Sequence, residues 1–388
     1  MTALQHKRTS PIAHLTPADI EQLGKELDAL REEILADRGQ RDADYIRRVI
    51  KVQRGLELGS RAVLLASIFP PAWLLGTLGL SISKILENME IGHNVLHGQW
   101  DWMRDPAIHS TTWEWDNVTP AEAWKHSHNE LHHTYTNVIG RDNDLGYAIM
   151  RVDEDQEWTP LFLGQPLWNF VNMLIFEYGI AAYDLDLGAY VTKQRTDTDR
   201  LKAGAKAVWR KARKQILRDY IVHPLVSGPS ALPTLAANVV ANVARNVWTH
   251  SVIMCGHFPR GVETFTKETL DGETRAEWYL RQMLGSANIS GSRLMHIMTG
   301  NLSYQIEHHL FPDLPSNRYQ EVAPRVQQLF ERYGLTYVSG PLPKQVASAW
   351  WKIIRLSLPN DFQPGVRRQK ASGVTESAAP SGRNPVAV

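Results

Sequence analysis

The sequence predicts an all-α membrane protein, in which a helical transmembrane stem of two hairpins and four helices carries a cytoplasmic helical cap with a metal centre. The prediction rests on apolar runs of membrane length, charged amphipathic segments, and histidines clustered at helical spacing. The formal charge of +1 argues against a nucleic-acid-binding protein. The one cysteine, Cys255, excludes an intrachain disulfide and a multi-cysteine zinc or iron–sulfur site.

The chain divides into three parts by composition. Residues 1–15 are expected to form a flexible arm, and residues 16–358 one folded membrane domain. Residues 359–388 are rich in Pro, Ser, Gly and charge, and are expected to be a disordered tail. Thr16 precedes a proline at the first helical position, which predicts a helix start. Residues 23–34 then carry apolar side chains at helical spacing.

The first two candidates for the stem are interrupted apolar runs. Residues 62–83 carry no charge and are long enough to span a bilayer core of roughly 30 Å. However, Pro70 and Pro71 lie in the middle of the run, and adjacent prolines break a helix. We therefore expect the tip of a helical hairpin there. The second run, residues 161–183, is interrupted only by Glu177.

The third run, residues 220–244, resumes beyond Arg245 and contains turn signals near its start. Residues 200–218 carry eight Lys and Arg and no acidic side chain, which predicts a cytoplasmic position. The 161–183 run would then lie along the interface or re-enter, and 220–257 would form the second hairpin. The expected location is the inner (cytoplasmic) membrane, with several crossings and the functional side in the cytoplasm.

The histidines form three clusters whose spacing brings imidazoles together. The clusters are His93 with His97; His128 with His132 and His133; and His308 with His309, preceded by Gln305. On a helix, residues i and i+4 share a face. Neutral imidazole is the commonest protein ligand for iron, zinc and copper. Seven histidines exceed the needs of one tetrahedral ion, so the clusters predict two ions with five or six ligands each.

Two other interpretations of these clusters stay open. Glu90-x-x-His93 and Glu130-x-x-His133 also match the pattern of soluble di-iron carboxylate bundles, which need two further core glutamates. A metal transporter would need ionisable residues inside the membrane spans, whereas the histidine clusters fall outside the apolar runs.

The strings HNVLH, HNELHH and QIEHHLFPDLP, which begin at residues 93, 128 and 305, resemble the three histidine boxes of integral-membrane fatty-acid desaturases. Segments 255–259 and 278–288 resemble the mycobacterial stearoyl-CoA Δ9-desaturase type, and the resemblance covers roughly residues 15–358. It implies that two iron ions and O₂ introduce a Δ9 cis double bond into an acyl-CoA of 16 or 18 carbons. Alternatives are a membrane di-iron hydroxylase or alkane monooxygenase, and a front-end or phospholipid-linked acyl desaturase.

The resemblance also implies roles for individual residues. The iron ligands would be His93, His97, His128, His132, His133, His257, His308 and His309, with Gln305 where animal acyl-CoA desaturases have a histidine. Carboxylates that could fix the imidazole tautomers are Glu130, Asp142, Asp144 and Glu307, although they could equally be solvated acids.

Substrate contacts are expected from aromatic and basic side chains. Trp100, Trp102, Trp113, Trp115 and Trp124 could line an acyl tunnel or form an interfacial belt. Arg141, Arg281 and the 200–218 run could bind the phosphates of CoA or anionic lipid head groups. The sequence shows no haem, flavin or nicotinamide motif, so electrons are expected from a separate reductase of the ferredoxin or flavin type.

Overall fold

The computed structural model describes residues 11–142, 144–191, 193 and 195–362. Most of the expected arm and tail therefore lies outside the described residues. The described part of the chain is mostly helical, as predicted. The α-helices are α1 (Pro17–Ala36), α2 (Gln40–Leu64), α3 (Pro70–Leu86), α4 (Asn94–Leu96), α5 (Ala121–Trp124), α6 (His133–Tyr135), α7 (Gln165–Leu174), α8 (Phe176–Asp184), α9 (Leu187–Val191), α10 (Thr198–Ile216), α11 (His223–Val226), α12 (Ala231–His257), α13 (Arg275–Leu284), α14 (Arg293–Met298), α15 (Gln305–Leu310), α16 (Tyr319–Arg332) and α17 (Leu342–Leu356).

Three segments form π-helix, in which each hydrogen bond spans five residues: π1 (Glu87–His93), π2 (Lys125–His132) and π3 (Leu217–Val222). Short 3₁₀ turns occupy Asp101–Met103, Gly146–Ala148, Pro160–Gly164, Gly228–Ser230, Lys267–Leu270, Leu302–Tyr304, Ser316–Arg318 and Asn360–Phe362. Strand β1 (Asn288–Ser290) pairs in parallel with β2 (Ser339–Pro341), with Asn288 opposite Ser339.

The first helix begins where the sequence predicts. The Asp19 backbone N–H donates to Thr16 Oγ1 over 3.2 Å, and the Thr16 backbone N–H donates to Asp19 Oδ2 over 2.8 Å. This reciprocal pair is a capping box. The helix then buries Leu23 and Leu27 in a core shared with Phe311 and other side chains of α13, α15 and α16. That core fixes the third histidine cluster against the N-terminal helices.

The 62–83 run forms the end of α2 and the start of α3, which pack along each other as a helical hairpin. Pro70 and Pro71 lie in the first turn of α3, where a proline removes no helical hydrogen bond. The 220–257 run likewise reverses at the Gly228–Ser230 turn before α12, which packs against α3. The predicted hairpin turns are therefore present.

Among the described residues, no helix is both long enough and apolar enough to cross a membrane. The helical class of the fold is confirmed, whereas the transmembrane stem is not. The 161–183 run is divided into α7 and α8 at Ile175.

Candidate metal centre

Both of the first two histidine clusters include residues on π-helix, although His97 follows α4. His93 ends π1, and His128 and His132 belong to π2, with His133 directly after it. In an α-helix, residue i+5 lies about 140° around the axis from residue i. The wider π-turn brings residues i+4 and i+5 to either side of residue i, so His132 and His133 both face the same centre as His128.

The histidine side chains form two adjacent groups, in each of which one ligand atom per residue lies within 4.8 Å of the others. The first group is His93, His97, His128 and His308, and the second is His132, His257 and His309. His133 lies between them, because its ring centroid is 4.8 Å from that of His308 and 4.4 Å from that of His309. The eight rings therefore surround two neighbouring positions, the arrangement expected for two ions.

The outer nitrogen of six of these rings faces a hydrogen-bond partner. The Nδ1 partners are Asn94 for His93, Asp144 for His128, Asp142 for His132, the Gly285 carbonyl for His257, Tyr319 for His308 and Gln282 for His309, at distances of 2.8 to 3.2 Å. Such partners fix the tautomer and the orientation of a metal-binding imidazole. They leave Nε2 as the atom that can bind a metal.

The inner nitrogens match that expectation. The Nε2 atoms of His97, His128, His133, His308 and His309 are buried and have no hydrogen-bond partner among the described residues. A buried polar atom without a hydrogen-bond partner is unfavourable. Each of these nitrogens is therefore suited to bind a metal ion. Buried, unprotonated imidazoles in this number suit transition-metal ions such as iron, zinc or copper. The residues present therefore fit two metal ions.

Burial keeps most of the rings neutral, the form that binds metals. It lowers the pKa of His93 to about 4 and that of His257 to about 3. Burial also holds the pKa of His97 and His308 well below the ordinary value, and neighbouring imidazoles add to the effect. His132 differs: burial acts in the same direction, but Asp142 and Asp144 outweigh it and raise the pKa of His132.

Gln305 lies beside the second group. Its Nε2 is 3.1 Å from His257 Nε2, and its buried Oε1 has no partner among the described residues. A Cβ at Gly256 would come 2.8 Å from the Gln305 Cδ, so a glycine is required for this close approach. The unpaired amide oxygen is thus available to a metal or to a water molecule.

The four candidate carboxylates occupy different surroundings. Asp142 and Asp144 contact His132 and His128, as described above. Glu130 contacts exposed His126 instead, because residues two apart on a helix do not share a face. Glu307 accepts hydrogen bonds from Asn288 and Tyr337, and among the described residues no hydrogen bond joins it to a histidine side chain.

An internal cavity, mainly apolar in its lining, lies against both histidine groups. It is lined by His93, His128, His132, His257, Gln305, Asp144, Asn88, Met89, Trp115, Trp124, Ser127, Tyr147, Phe176, Ile180, Tyr183, Thr249, Ile253 and Leu302. Of the five predicted tryptophans, Trp115 and Trp124 belong to this lining. Phe176 and Tyr183 were missed by the sequence analysis, because α8 reaches the histidines only in the fold.

The other predicted tryptophans lie outside the cavity. Gly98 adopts a φ of 74° directly after His97, and this turn directs the following residues away from the histidines. Trp100 is fully buried and stacks on Tyr45. Trp102 donates to the Gln99 carbonyl. Trp113 packs against two apolar clusters, one with Ile91 and one with Leu96.

The predicted arginines have structural contacts. Arg281 is buried, pairs with Glu273, and donates to the carbonyls of Thr134 and Thr136 directly after the second box. Arg141 is exposed and lies over the Tyr135 ring. Residues 200–218 form most of α10, whose Lys211 pairs with Glu114.

Comparison with known proteins agrees with this centre. The fatty acid desaturase family matches residues 68–341. The chain is 48% identical over 354 residues to the NADPH-dependent stearoyl-CoA 9-desaturase of Mycobacterium tuberculosis, which covers 90% of this chain and 83% of the relative. It is 24% identical over 288 residues to the sn-1 linoleoyl-lipid 6-desaturase of Synechocystis sp., which covers 71% of this chain and 77% of that protein. By sequence, and by the histidine groups described above, the chain belongs to the fatty acid desaturase family of oxidoreductases.

Proposed function

We propose that the protein introduces a Δ9 cis double bond into a long-chain acyl-CoA, with O₂ as oxidant and two histidine-bound iron ions. The observation that carries the proposal is the pair of histidine groups, with unpaired inner nitrogens, on the wall of an apolar cavity. The relative that is 48% identical is named a stearoyl-CoA 9-desaturase, which supports the substrate and the position of the bond.

The iron ions would supply one-electron and O₂ chemistry, which side chains alone cannot perform on an unactivated methylene. The acyl chain gives up two hydrogens and the donor two electrons and two protons, so that O₂ becomes two molecules of water. The ions would be held by His93, His97, His128, His132, His133, His257, His308 and His309, with Gln305 available beside His257. Asp142 and Asp144 orient the rings of the second box.

The cavity positions the acyl chain. Met89, Phe176, Ile180 and Ile253 contribute apolar side chains that exclude water and hold a hydrocarbon by burial. Trp115 and Trp124 pack against each other at the side of the first box, with ring centroids 5.1 Å apart. A rigid aromatic wall at the histidines would keep one pair of carbons near them.

The electrons are assigned to a separate reductase of the ferredoxin or flavin type. The sequence has neither the glycine-rich fingerprint of dinucleotide-binding proteins nor the His-Pro-Gly-Gly haem motif, since its one His-Pro, at His223, continues with Leu225. The mycobacterial relative is named NADPH-dependent, which supports NADPH as the ultimate donor.

We place the protein on the cytoplasmic membrane, with the histidine groups on the cytoplasmic side. Large apolar side chains are exposed on five elements or their ends: Leu58, Phe69, Leu74, Leu75, Leu78, Leu167, Phe170, Val171, Leu225, Val226, Leu232, Val239 and Val240. These elements pack on one another, because α3 contacts α2 and α12, and α12 contacts α7 and α11. Exposed apolar surface of this extent supports contact with a membrane.

Expression in a host that lacks its own acyl desaturase tests the proposal. We expect the wild-type chain, supplied with a compatible reductase, to produce Δ9 cis fatty acids, located by mass spectrometry of derivatised double bonds. The His132→Ala variant should produce none, whereas His126→Ala, at an exposed position of the same segment, should retain activity. An alcohol without any alkene would support the hydroxylase instead, and a double bond at another position would support a front-end or lipid-linked desaturase.

A further inference from the structure

A surface cleft lies where three segments of the chain meet, away from the internal cavity. One wall is the start of α2, the second is α14 with the turn after it, and the third is the segment 317–321. Its lining includes Arg41, Tyr45, Arg48, Arg293, Asn301 and Gln320. Among the described residues, the lining of the cleft and the lining of the cavity have no member in common.

The cleft carries more positive than negative charge. Three arginines line it, together with one acidic residue, Glu321. Arg41 pairs with Glu321 over 3.0 Å. Arg48 and Arg293 are exposed, and no carboxylate of the described chain lies within ion-pair distance of either. Two guanidinium groups are therefore free to bind carboxylates of another molecule. We call this surface the basic cleft.

The positive charge continues along α2 towards the apolar surface. Lys51 and Arg54 are exposed, and no acidic residue occurs between positions 45 and 56. Leu58 then begins the exposed apolar part of the helix. Tyr45 precedes Leu58 by 13 residues, which is about 20 Å along a helix. The basic cleft is thus separated from the surface that we place against the membrane, and a water-soluble protein can reach it.

The floor of the basic cleft is joined to the segment that carries His93. The Tyr45 hydroxyl and the Asn301 side-chain amide donate to the two carboxylate oxygens of Glu90, over 2.8 and 2.9 Å. Ser316, next to the third wall, also donates to this carboxylate over 2.7 Å. Glu90 is fully buried and lies on π1, three residues before His93. All three walls of the cleft therefore converge on π1.

Asn94 completes the connection to an imidazole. Its side-chain amide donates to the backbone carbonyls of Glu90 and Gly300, over 3.0 and 3.1 Å. Its Oδ1 lies 3.1 Å from His93 Nδ1. Hydrogen bonds and covalent bonds thus form an unbroken path from Asn301, in the lining of the basic cleft, to the first histidine group.

Helix α10 is a second basic surface and provides a matched control. Lys206 and Arg213 are exposed on it. Its Lys211 contacts Glu114 and the Trp115 carbonyl, and neither residue holds a histidine ring. If positive charge alone attracted a partner, α10 would serve as well as the basic cleft.

We infer that the basic cleft is the docking site of the electron donor, and that this donor is an acidic protein of the ferredoxin type. The inference rests on the proposed function, which consumes two electrons and two protons for each double bond. Two reduced [2Fe–2S] donors supply these electrons in turn, and each donor is oxidised by one electron. Redox partners bury less than about 1,200 Å² of surface, so complementary charge attracts and orients the donor. The path through Glu90 and Asn94 then leads electrons to His93.

Thiol labelling locates the partner without measuring turnover. Cys255, the only cysteine, is buried, so a cysteine introduced at exposed Gln320 in the cleft or at exposed Lys206 on α10 reacts selectively with a maleimide. We expect a saturating plant-type [2Fe–2S] ferredoxin at low salt to slow the labelling of Gln320→Cys about tenfold and to leave Lys206→Cys unchanged. A basic c-type cytochrome should protect neither variant.

Three labelling results would overturn the inference. The first is equal protection of both variants by ferredoxin, and the second is no protection of Gln320→Cys. The third is protection of Gln320→Cys on reconstitution into phosphatidylglycerol nanodiscs with none from ferredoxin, which would assign the cleft to the membrane surface.

Charge reversal tests the arginines themselves. The double variant Arg48→Glu with Arg293→Glu changes two exposed side chains that have no carboxylate partner in the described chain, so the fold should be retained. We expect its Kd for ferredoxin to rise at least about tenfold and to depend less on salt. Lys206→Glu should bind within about twofold of wild type. The neutral double variant Arg48→Gln with Arg293→Gln should show an intermediate loss, and unchanged affinity in both double variants would contradict the docking site.

A second reductant separates this inference from the proposed function. Reduced methyl viologen is a small cation that needs no protein docking site, so it should give the double charge-reversal variant the same rate of alkene formation as wild type. The rate with reduced ferredoxin should fall at least about tenfold. Equal rates with ferredoxin, or a matching fall with methyl viologen, would overturn the docking site and leave the proposed function intact. If neither reductant yields an alkene but labelling and affinity follow the expected pattern, the proposed function fails and the cleft remains a ferredoxin site.

Discussion

Arg245 and Glu177, which interrupt two separate apolar runs of the sequence, form an ion pair with each other in the interior. Their side chains are 1% and 2% exposed. Arg245 also donates to the Asp116 carbonyl over 3.1 Å. These two contacts join α8, α12 and the loop that carries Trp115 to the cavity. The two charged residues that interrupt the apolar runs therefore connect helices that are far apart in the sequence.

The pair should be sensitive to the loss of one partner. We expect Glu177→Met alone to destabilise the protein by about 3–5 kcal/mol, because a buried guanidinium loses its counter-charge. The double variant with Arg245→Met should recover most of that loss, since two apolar side chains then replace the pair. Thermal unfolding in detergent measures both. Arg325→Met, which removes an exposed pair with Glu33, should leave the melting temperature nearly unchanged; a double variant no more stable than Glu177→Met would contradict the argument.

The metal content of the protein should depend on the histidines whose Nε2 atoms lack a hydrogen-bond partner. The wild-type protein should bind about two iron ions per chain. His308→Ala removes a ring that belongs to the first group and contacts His133, so we expect loss of at least one ion and of activity. Elemental analysis of the purified protein measures the ions. His126→Ala is the control and should retain both; full iron content in His308→Ala would remove that residue from the set of ligands.

The carboxylates that contact the histidines should affect metal affinity and turnover without binding the metal themselves. Asp142→Asn replaces the acceptor that lies 3.0 Å from His132 Nδ1. Loss of such a partner lowers metal affinity or activity about 10–100-fold. We expect slower turnover and faster loss of iron to a chelator. Glu130→Gln, at a carboxylate that contacts only exposed His126, should behave as wild type in both assays, and a similar defect there would show that the effect is not specific to the Asp142 contact.

Glu90 should make stability fall as the pH rises. Burial raises the pKa of this carboxyl to about 7 from its ordinary value of 4.5, although Ser316, Tyr45 and Asn301 donate hydrogen bonds to it. The folded state therefore holds the proton more tightly than the unfolded chain. Its stabilisation is complete below about pH 4.5 and is lost as the pH rises through about 7.

Glu90→Gln lacks this titration. The wild-type melting temperature should therefore fall more between about pH 5 and about pH 8 than that of the variant. Differential scanning fluorimetry at both pH values gives the two differences. The same fall in both proteins would assign it to other groups.

The spacing of residues close together in the sequence predicted much of the metal centre. The residues that it did not predict reach the centre through contacts between distant parts of the chain. The capping box at Thr16 and the three histidine clusters are encoded within a few residues, and the fold places all eight histidines together. Asp142 and Asp144 lie close to the second box in the sequence, so a short loop brings them back into contact with its histidines. In contrast, Tyr319 and Gln282, which hold His308 and His309, come from other helices and carry no local signal. Trp100 and Trp102 are near His97 in sequence but are directed away by the turn at Gly98.

The metal centre depends on the type of helix at the second box, which is a π-helix. Because His128, His132 and His133 converge only when the backbone hydrogen bond spans five residues, the segment is fixed in length as well as in composition. Deleting a single residue between His128 and His132 would restore ordinary α-helix and rotate at least one ligand out of the centre. Insertions and deletions should therefore be far less tolerated here than substitutions of the residues between the histidines, because those residues only fill the turn.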